Sequence, residues 1–175
     1  MKNNSKFLII LFFFVVLIIY NKAYANEIIF STLDVNITND GNIINAGTGS
    51  AYSKSSNIKI DGQSFKFDKS SSILIAYKAK VILSEKNIEI NADKLIYDQE
   101  ISLIKAIGNV KINDLTNATT FSSEEAVYNK IKKEISSNIR SSIYDKVGNN
   151  IRNHSKLVKT KLIIMSVLVI KRVSI

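Results

Sequence analysis

The chain has no cysteine, no proline and no tryptophan among its 175 residues, and only one histidine. Without cysteine there is no disulfide framework, no thiolate nucleophile and no thiolate metal site, and lipid attachment behind the N-terminal apolar run is excluded. The lone His154 lies near the C-terminus, so a Ser-His or Cys-His catalytic system has no support in the body of the chain. The Glu124-Glu125 pair reads as a solvated face, and the Asp and Asn residues near turns lack calcium-loop spacing. We therefore expect no catalytic residue, no metal and no cofactor, and read the chain as a non-enzyme. An apolar content of 46% without proline, cysteine or tryptophan points to a single β-rich domain.

Charge of one sign is missing from both ends. Lys2, Lys6 and Lys22 at the N-terminus, and Arg152, Lys156, Lys159, Lys161, Lys171 and Arg172 at the C-terminus, account for the whole formal net charge of +9. The segment from Asn26 to Ile151 is formally neutral. A nucleic-acid partner would require a clustered basic face with Arg or aromatic readers, and none is visible.

Residues 1–25 have the layout of a secretory signal peptide. Lys2 and Lys6 form a basic n-region, Phe7 to Tyr20 is an unbroken apolar run, and Ala23-Tyr24-Ala25 supplies a small-residue cleavage site. As a helix that run would span only about 21 Å of a roughly 30 Å hydrocarbon core, which argues against a permanent membrane anchor. Export by a cleaved signal is the expectation.

What the sequence does contain is a repeat. Asn57 to Asp68, N-I-K-I-D-G-Q-S-F-K-F-D, matches N-I-E-I-N-A-D-K-L-I-Y-D from Asn87 to Asp98. Ile58 falls on Ile88, Ile60 on Ile90, Phe65 on Leu95 and Phe67 on Tyr97. In the second half of the unit, Ile75, Tyr77, Ala79, Val81 and Leu83 precede Ile104, Ala106, Gly108, Val110 and Ile112 with the same alternation. Ala126, Val127 and Tyr128 continue the register, followed by Ile135, Ser137, Ile139, Ser141 and Ile143. A period of two means strands with one buried face. A repeat of about 30 residues built from strand pairs means stacked units, none of which buries its apolar face alone.

The alternation changes phase inside each unit. Ile58 and Ile60 are even-numbered whereas Phe65 and Phe67 are odd, and the same switch separates Ile88 and Ile90 from Leu95 and Tyr97. An extra residue at a fixed place, marked by Gly62 and by Ala92-Asp93, predicts a β-bulge or corner in every strand. Such bends, all alike, are compatible with a long sheet folding over on itself.

These motifs, Ala92 to Asp98 followed by A-x-G-N-V-x-I at Ala106 to Ile112 and by Ala126 to Asn129, resemble the OstA-like domain of bacterial lipopolysaccharide-transport proteins. The resemblance covers about residues 27–145. It implies an all-β fold in which repeated antiparallel strands form a V-shaped β-jelly roll, with lipopolysaccharide acyl chains sheltered in an apolar trough. The lining it implies is Ile58, Ile60, Phe65, Phe67, Ile75, Val81, Ile88, Ile90, Leu95, Tyr97, Ile104, Val110 and Ile112. It further implies partners of the same kind added at open sheet edges, in a head-to-tail assembly. Both a complete bridge protein and a truncated amino-terminal domain of the outer-membrane assembly barrel fit these motifs. An exported structural or adhesive β-repeat protein, with the same residues filling a sandwich core, is the alternative.

Elsewhere, Ile28 to Phe30 and Leu33 to Ile37 read as short strands ahead of a hairpin turn at Asn39 to Asn42. Gly47-Thr48-Gly49 lacks the helix and lysine of a phosphate loop and reads as a turn or bulge. Ser122 to Lys133 has a helical reading, but Ala126 and Tyr128 keep the strand register. The domain is thus expected over 26–151. The basic and apolar tail over 152–175 has three open readings: a closing edge strand, an interfacial segment, or the end of a truncated or frame-shifted protein.

Overall fold

The computed structural model describes residues 27–83, 87–145, 147–154 and 158–161. The signal segment and the apolar run from Leu162 to Ile170 lie outside the described residues.

The chain folds by going back and forth, and its turns have a common chemistry. Asp98 ends one strand and its Oδ1 accepts the N–H groups of Glu100 at 3.0 Å and Ile101 at 3.2 Å. Asp68 does the same for Ser70 and Ser71, and Asp114 for Thr116 and Asn117. The residue that leads into the next strand then sits in the left-handed region: Asn57, Ser72, Asn87, Ser102, Ala118 and Lys133 all have φ between 50° and 56°. An acidic residue bonding its own turn is a well-defined alternative to continuing the ladder. The Phe-Asp and Tyr-Asp pairs of the repeat are therefore strand terminators.

Between turns, each pass of about 15 residues is bent in the middle. Near the N-terminus the bend splits the pass into two strands. These are β1 (Ile28–Thr32) with β2 (Val35–Thr38), β3 (Ile43–Ala46) with β4 (Gly49–Ser53), and β5 (Ile58–Gly62) with β6 (Ser64–Asp68). In the centre the strands run through: β7 (Ile73–Leu83), β8 (Ile88–Asp98), β9 (Leu103–Asp114) and β10 (Thr119–Asn129). Splitting resumes with β11 (Glu134–Ser137) and β12 (Ser141–Tyr144), then β13 (Asn150–His154) and β14 (Val158–Lys161). The segment with a helical reading is thus strand β10, and pairing continues past residue 151.

All fourteen strands belong to one antiparallel, unclosed sheet. The first half of β7 pairs with β6 and the second half with β5, while β10 pairs with β11 through Val127 to Asn129 and with β12 through Thr120 to Ser123. The sheet consequently divides along the line of bends into two layers. One holds β2, β3, β6, β11 and β14 with one half of each long strand; the other holds β1, β4, β5, β12 and β13 with the remaining halves. Phe30 of β1 packs edge-on against Phe65 of β6, with ring centroids 5.9 Å apart, so the layers face each other across a common interior. This is the V-shaped β-jelly roll expected from the sequence.

Candidate functional site: an apolar trough

The interior is built from cross-strand rows. In one layer Phe67 lies opposite Leu74, Leu74 opposite Tyr97, Tyr97 opposite Ile104, and Ile104 opposite Tyr128. In the other, Ile60, Val81, Ile90, Ile112, Phe121 and Ile143 follow one another in the same way. Twelve of the thirteen residues expected to line the trough are buried in this interior: Ile58, Ile60, Phe65, Phe67, Val81, Ile88, Ile90, Leu95, Tyr97, Ile104, Val110 and Ile112. Each large aliphatic side chain so placed contributes about 1.5–3 kcal/mol.

Ile75 is the exception. It is half-buried on the outer face beside exposed Tyr77, and Leu74 and Ala76 take the inward positions instead. The cause is Lys78, whose φ of 46° breaks the alternation before Ala79, Val81 and Leu83 resume it on the inner face. The phase switch seen at Gly62 and Ala92-Asp93 also operates in β7. Applying it there would have found Leu74 and Ala76 from the sequence.

The bend is a polar assembly. Asp93 of β8 accepts a hydrogen bond from Lys78 Nζ of β7 at 2.5 Å and another from Asn109 Nδ2 of β9 at 2.7 Å. The Lys78 bond, followed by that from Asn109, holds the Asp93 carboxyl below the usual carboxylate range. Gly108 has φ +77°, and a Cβ there would stand 2.7 Å from Asp93 Oδ2. The A-x-G-N-V motif now has a physical content. Ala106 is the small inward residue between Leu95 and Ala126, Gly108 makes room for Asp93, Asn109 bonds it, and Val110 returns to the interior.

The opposite side, where the turns of the two layers meet, is the mouth of the trough. Gln99 Nε2 donates to Ser53 Oγ at 3.3 Å, and Lys130 Nζ donates to the Ser56 carbonyl. Gln99, Lys130 and their partners were not foreseen, because residues that meet only across layers leave no periodic trace. Exposed Ile101, Leu115 and Ile131 stand on turns along the same side. Inside it, the hydroxyls of Tyr97 and Tyr128 are buried without a hydrogen-bonding partner among the described residues. Burial pushes the Tyr128 hydroxyl pKa up, so it stays neutral. Leaving such a group unpaired costs about 1–3 kcal/mol.

At the N-terminal end of the trough β2 forms a sheet edge, pairing only with β3 among the described residues. Its Val35 and Ile37 lie opposite Ala46 and Ile44 yet are about half exposed, at 47% and 57%. A separate groove of about 380 Å³ is lined by Lys111, Glu124 and Arg140, among others. Among the described residues no cluster of His, Cys, Asp or Glu is suited to a metal ion.

A folded-over, open β-jelly roll with an apolar interior is the class that this arrangement defines, and the OstA-like resemblance read in the sequence agrees with it. Among solved structures it is similar to LptH of Pseudomonas aeruginosa, described as the LptA-homologous periplasmic component of the conserved lipopolysaccharide transport device. The match covers 77% of this chain and 94% of that one, with a TM-score of 0.55 and 11% sequence identity. At that identity the likeness is one of fold. No family model and no curated protein matches the sequence.

Proposed function

We propose that the protein is a periplasmic, non-catalytic carrier that shelters the acyl chains of lipopolysaccharide between its two layers on the way to the outer membrane. The observation that carries this reading is the continuous pair of facing apolar rows, joined covalently only along the bends and tied at the mouth by few polar bonds. Likeness to LptH supports it at the level of fold. The chain's own geometry supplies the mechanism.

Magnitudes favour entry by the mouth. The Gln99 and Lys130 bonds together contribute on the order of 2–4 kcal/mol. One acyl chain of about ten methylenes gains roughly 8 kcal/mol on leaving water. An acyl chain sliding between the rows replaces the side-chain contacts that it separates, so the mouth bonds are the main cost of opening. The free edges of β1 and β2 would accept strands of a further copy or of another transport component. Val35 and Ile37 would continue the apolar path across that junction.

The tight burial of the rows favours a second reading, an exported structural repeat with a filled core. Photocrosslinking in cells separates the two, with the probe at Ile90 or Val110 on the inner face and at Lys111 on the outer. Lipopolysaccharide adducts at the first two positions and not at the third are expected. Absence of adducts at all three in folded protein would leave the structural repeat as the reading.

A further inference from the structure

Tyr97, Gln99, Tyr128 and Lys130 form two copies of one pattern. Each buried tyrosine is followed two residues later by a side chain that reaches across the mouth, Gln99 to Ser53 and Lys130 to Ser56. Both tyrosines belong to the same cross-strand row, on either side of Ile104, and are 0% and 1% exposed. Their hydroxyls have no partner among the described residues, and neither does Gln99 Oε1. If the Gln99 amide is turned over, its nitrogen becomes the unpaired atom, so one polar atom is left over either way.

Packing does not demand these hydroxyls. Two places along the same row stands Phe67, which fills the interior with a ring alone and is followed two residues later by Lys69. A phenylalanine would supply the same apolar area at 97 and 128 without an unpaired polar group. The hydroxyls therefore lie just inside the mouth, where the first carbons of an entering chain would pass.

We infer that the Tyr97 and Tyr128 hydroxyls and the free amide atom of Gln99 form a polar recognition site within the trough, for acyl chains that carry a hydroxyl or similar oxygen close to their head. A tyrosine O–H donates to the ligand oxygen, and Gln99 Oε1 accepts from a ligand hydroxyl. The carboxylate or phosphate of the head lies farther out, within reach of Lys130 Nζ once that group leaves the Ser56 carbonyl. A plain alkyl chain would be sheltered equally well but would leave all three polar atoms unpaired. The site selects by that difference. It rests on the lipid-trough reading above.

The test compares β-hydroxytetradecanoate with unsubstituted tetradecanoate, by calorimetric titration of the signal-free protein and of its Tyr97→Phe, Tyr128→Phe and doubly substituted forms. The protein is expected to bind the hydroxylated chain about three- to ten-fold more tightly, the ratio that one net hydrogen bond gives. The double variant should bind the two chains alike and melt at the same temperature or higher. Equal affinities in the unsubstituted protein, or a preference that survives in the double variant, would overturn the site and leave the trough standing. A lower melting temperature in the single Phe variants would mean that the hydroxyls serve the fold, which also overturns it. If neither fatty acid binds, the lipid-trough reading itself fails and the site falls with it.

Discussion

The bend and the mouth are the two long sides of the same trough, and they are built on opposite principles. At the bend Asp93 has partners on both neighbouring strands, Lys78 and Asn109, and Gly108 lets the strands come close enough for it. At the mouth the partners come from the other layer, and three buried polar atoms have none among the described residues. Covalent continuity through β7 to β10 fixes the bend, whereas among the described residues the mouth is joined by side-chain bonds. The carrier function proposed above would call for a trough that is strong on one side and openable on the other. That asymmetry is what the structure provides.

Breaking the strong side should have the largest effect. Gly108→Val places a branched side chain at φ +77° and into Asp93, and is expected to destabilise the fold by about 2–4 kcal/mol in urea titration. A loss under about 0.5 kcal/mol would mean that the bend is not a fixed spine. Next comes the weak side. Gln99→Ala combined with Lys130→Ala should lower stability by about 2 kcal/mol, the low end of what the two bonds contribute, while accelerating uptake of a fluorescent acyl probe. Slower uptake would place entry at the ends of the trough.

The smallest effect is expected in the pH dependence. The folded Asp93 carboxyl titrates below its usual value of 3.8, so its stabilising contribution is present above that pH and is lost as pH falls through the lowered value. Asp93→Asn should flatten the stability profile on the acid side below about pH 4 and leave it unchanged near neutrality in slope. Asp68 and Asp145, whose carboxyls are also held low by hydrogen bonds within their turns, should maintain the remaining acid sensitivity. An unchanged acid limb in Asp93→Asn would show that the Lys78 and Asn109 bonds are not formed in solution.

Much of the buried interior was legible because inward-facing residues recur every second position, and the phase switch at Gly62 and Ala92-Asp93 marked the bend. Ile75 was misplaced for a local reason. Lys78 adopts a left-handed φ without the glycine that advertises such a conformation, so the alternation in β7 appeared continuous. Asp68 and Asp98, which end strands, were visible as motif letters, yet their job, accepting two turn N–H groups each, became apparent only with the backbone in place.

By itself the sequence determined the strand period, the repeat of about 30 residues, the neutrality of the domain and the set of side chains available for burial. These are local or nearest-neighbour properties, and periodicity writes them directly into the chain. Tertiary structure alone decided which residues meet across the trough. Gln99 finds Ser53 and Lys130 finds Ser56, 46 and 74 positions away, only because the two layers fold face to face, and the Tyr97 and Tyr128 hydroxyls have no partner among the described residues. The distance between layers is set by the summed bends of many strands, and no single stretch of sequence encodes it.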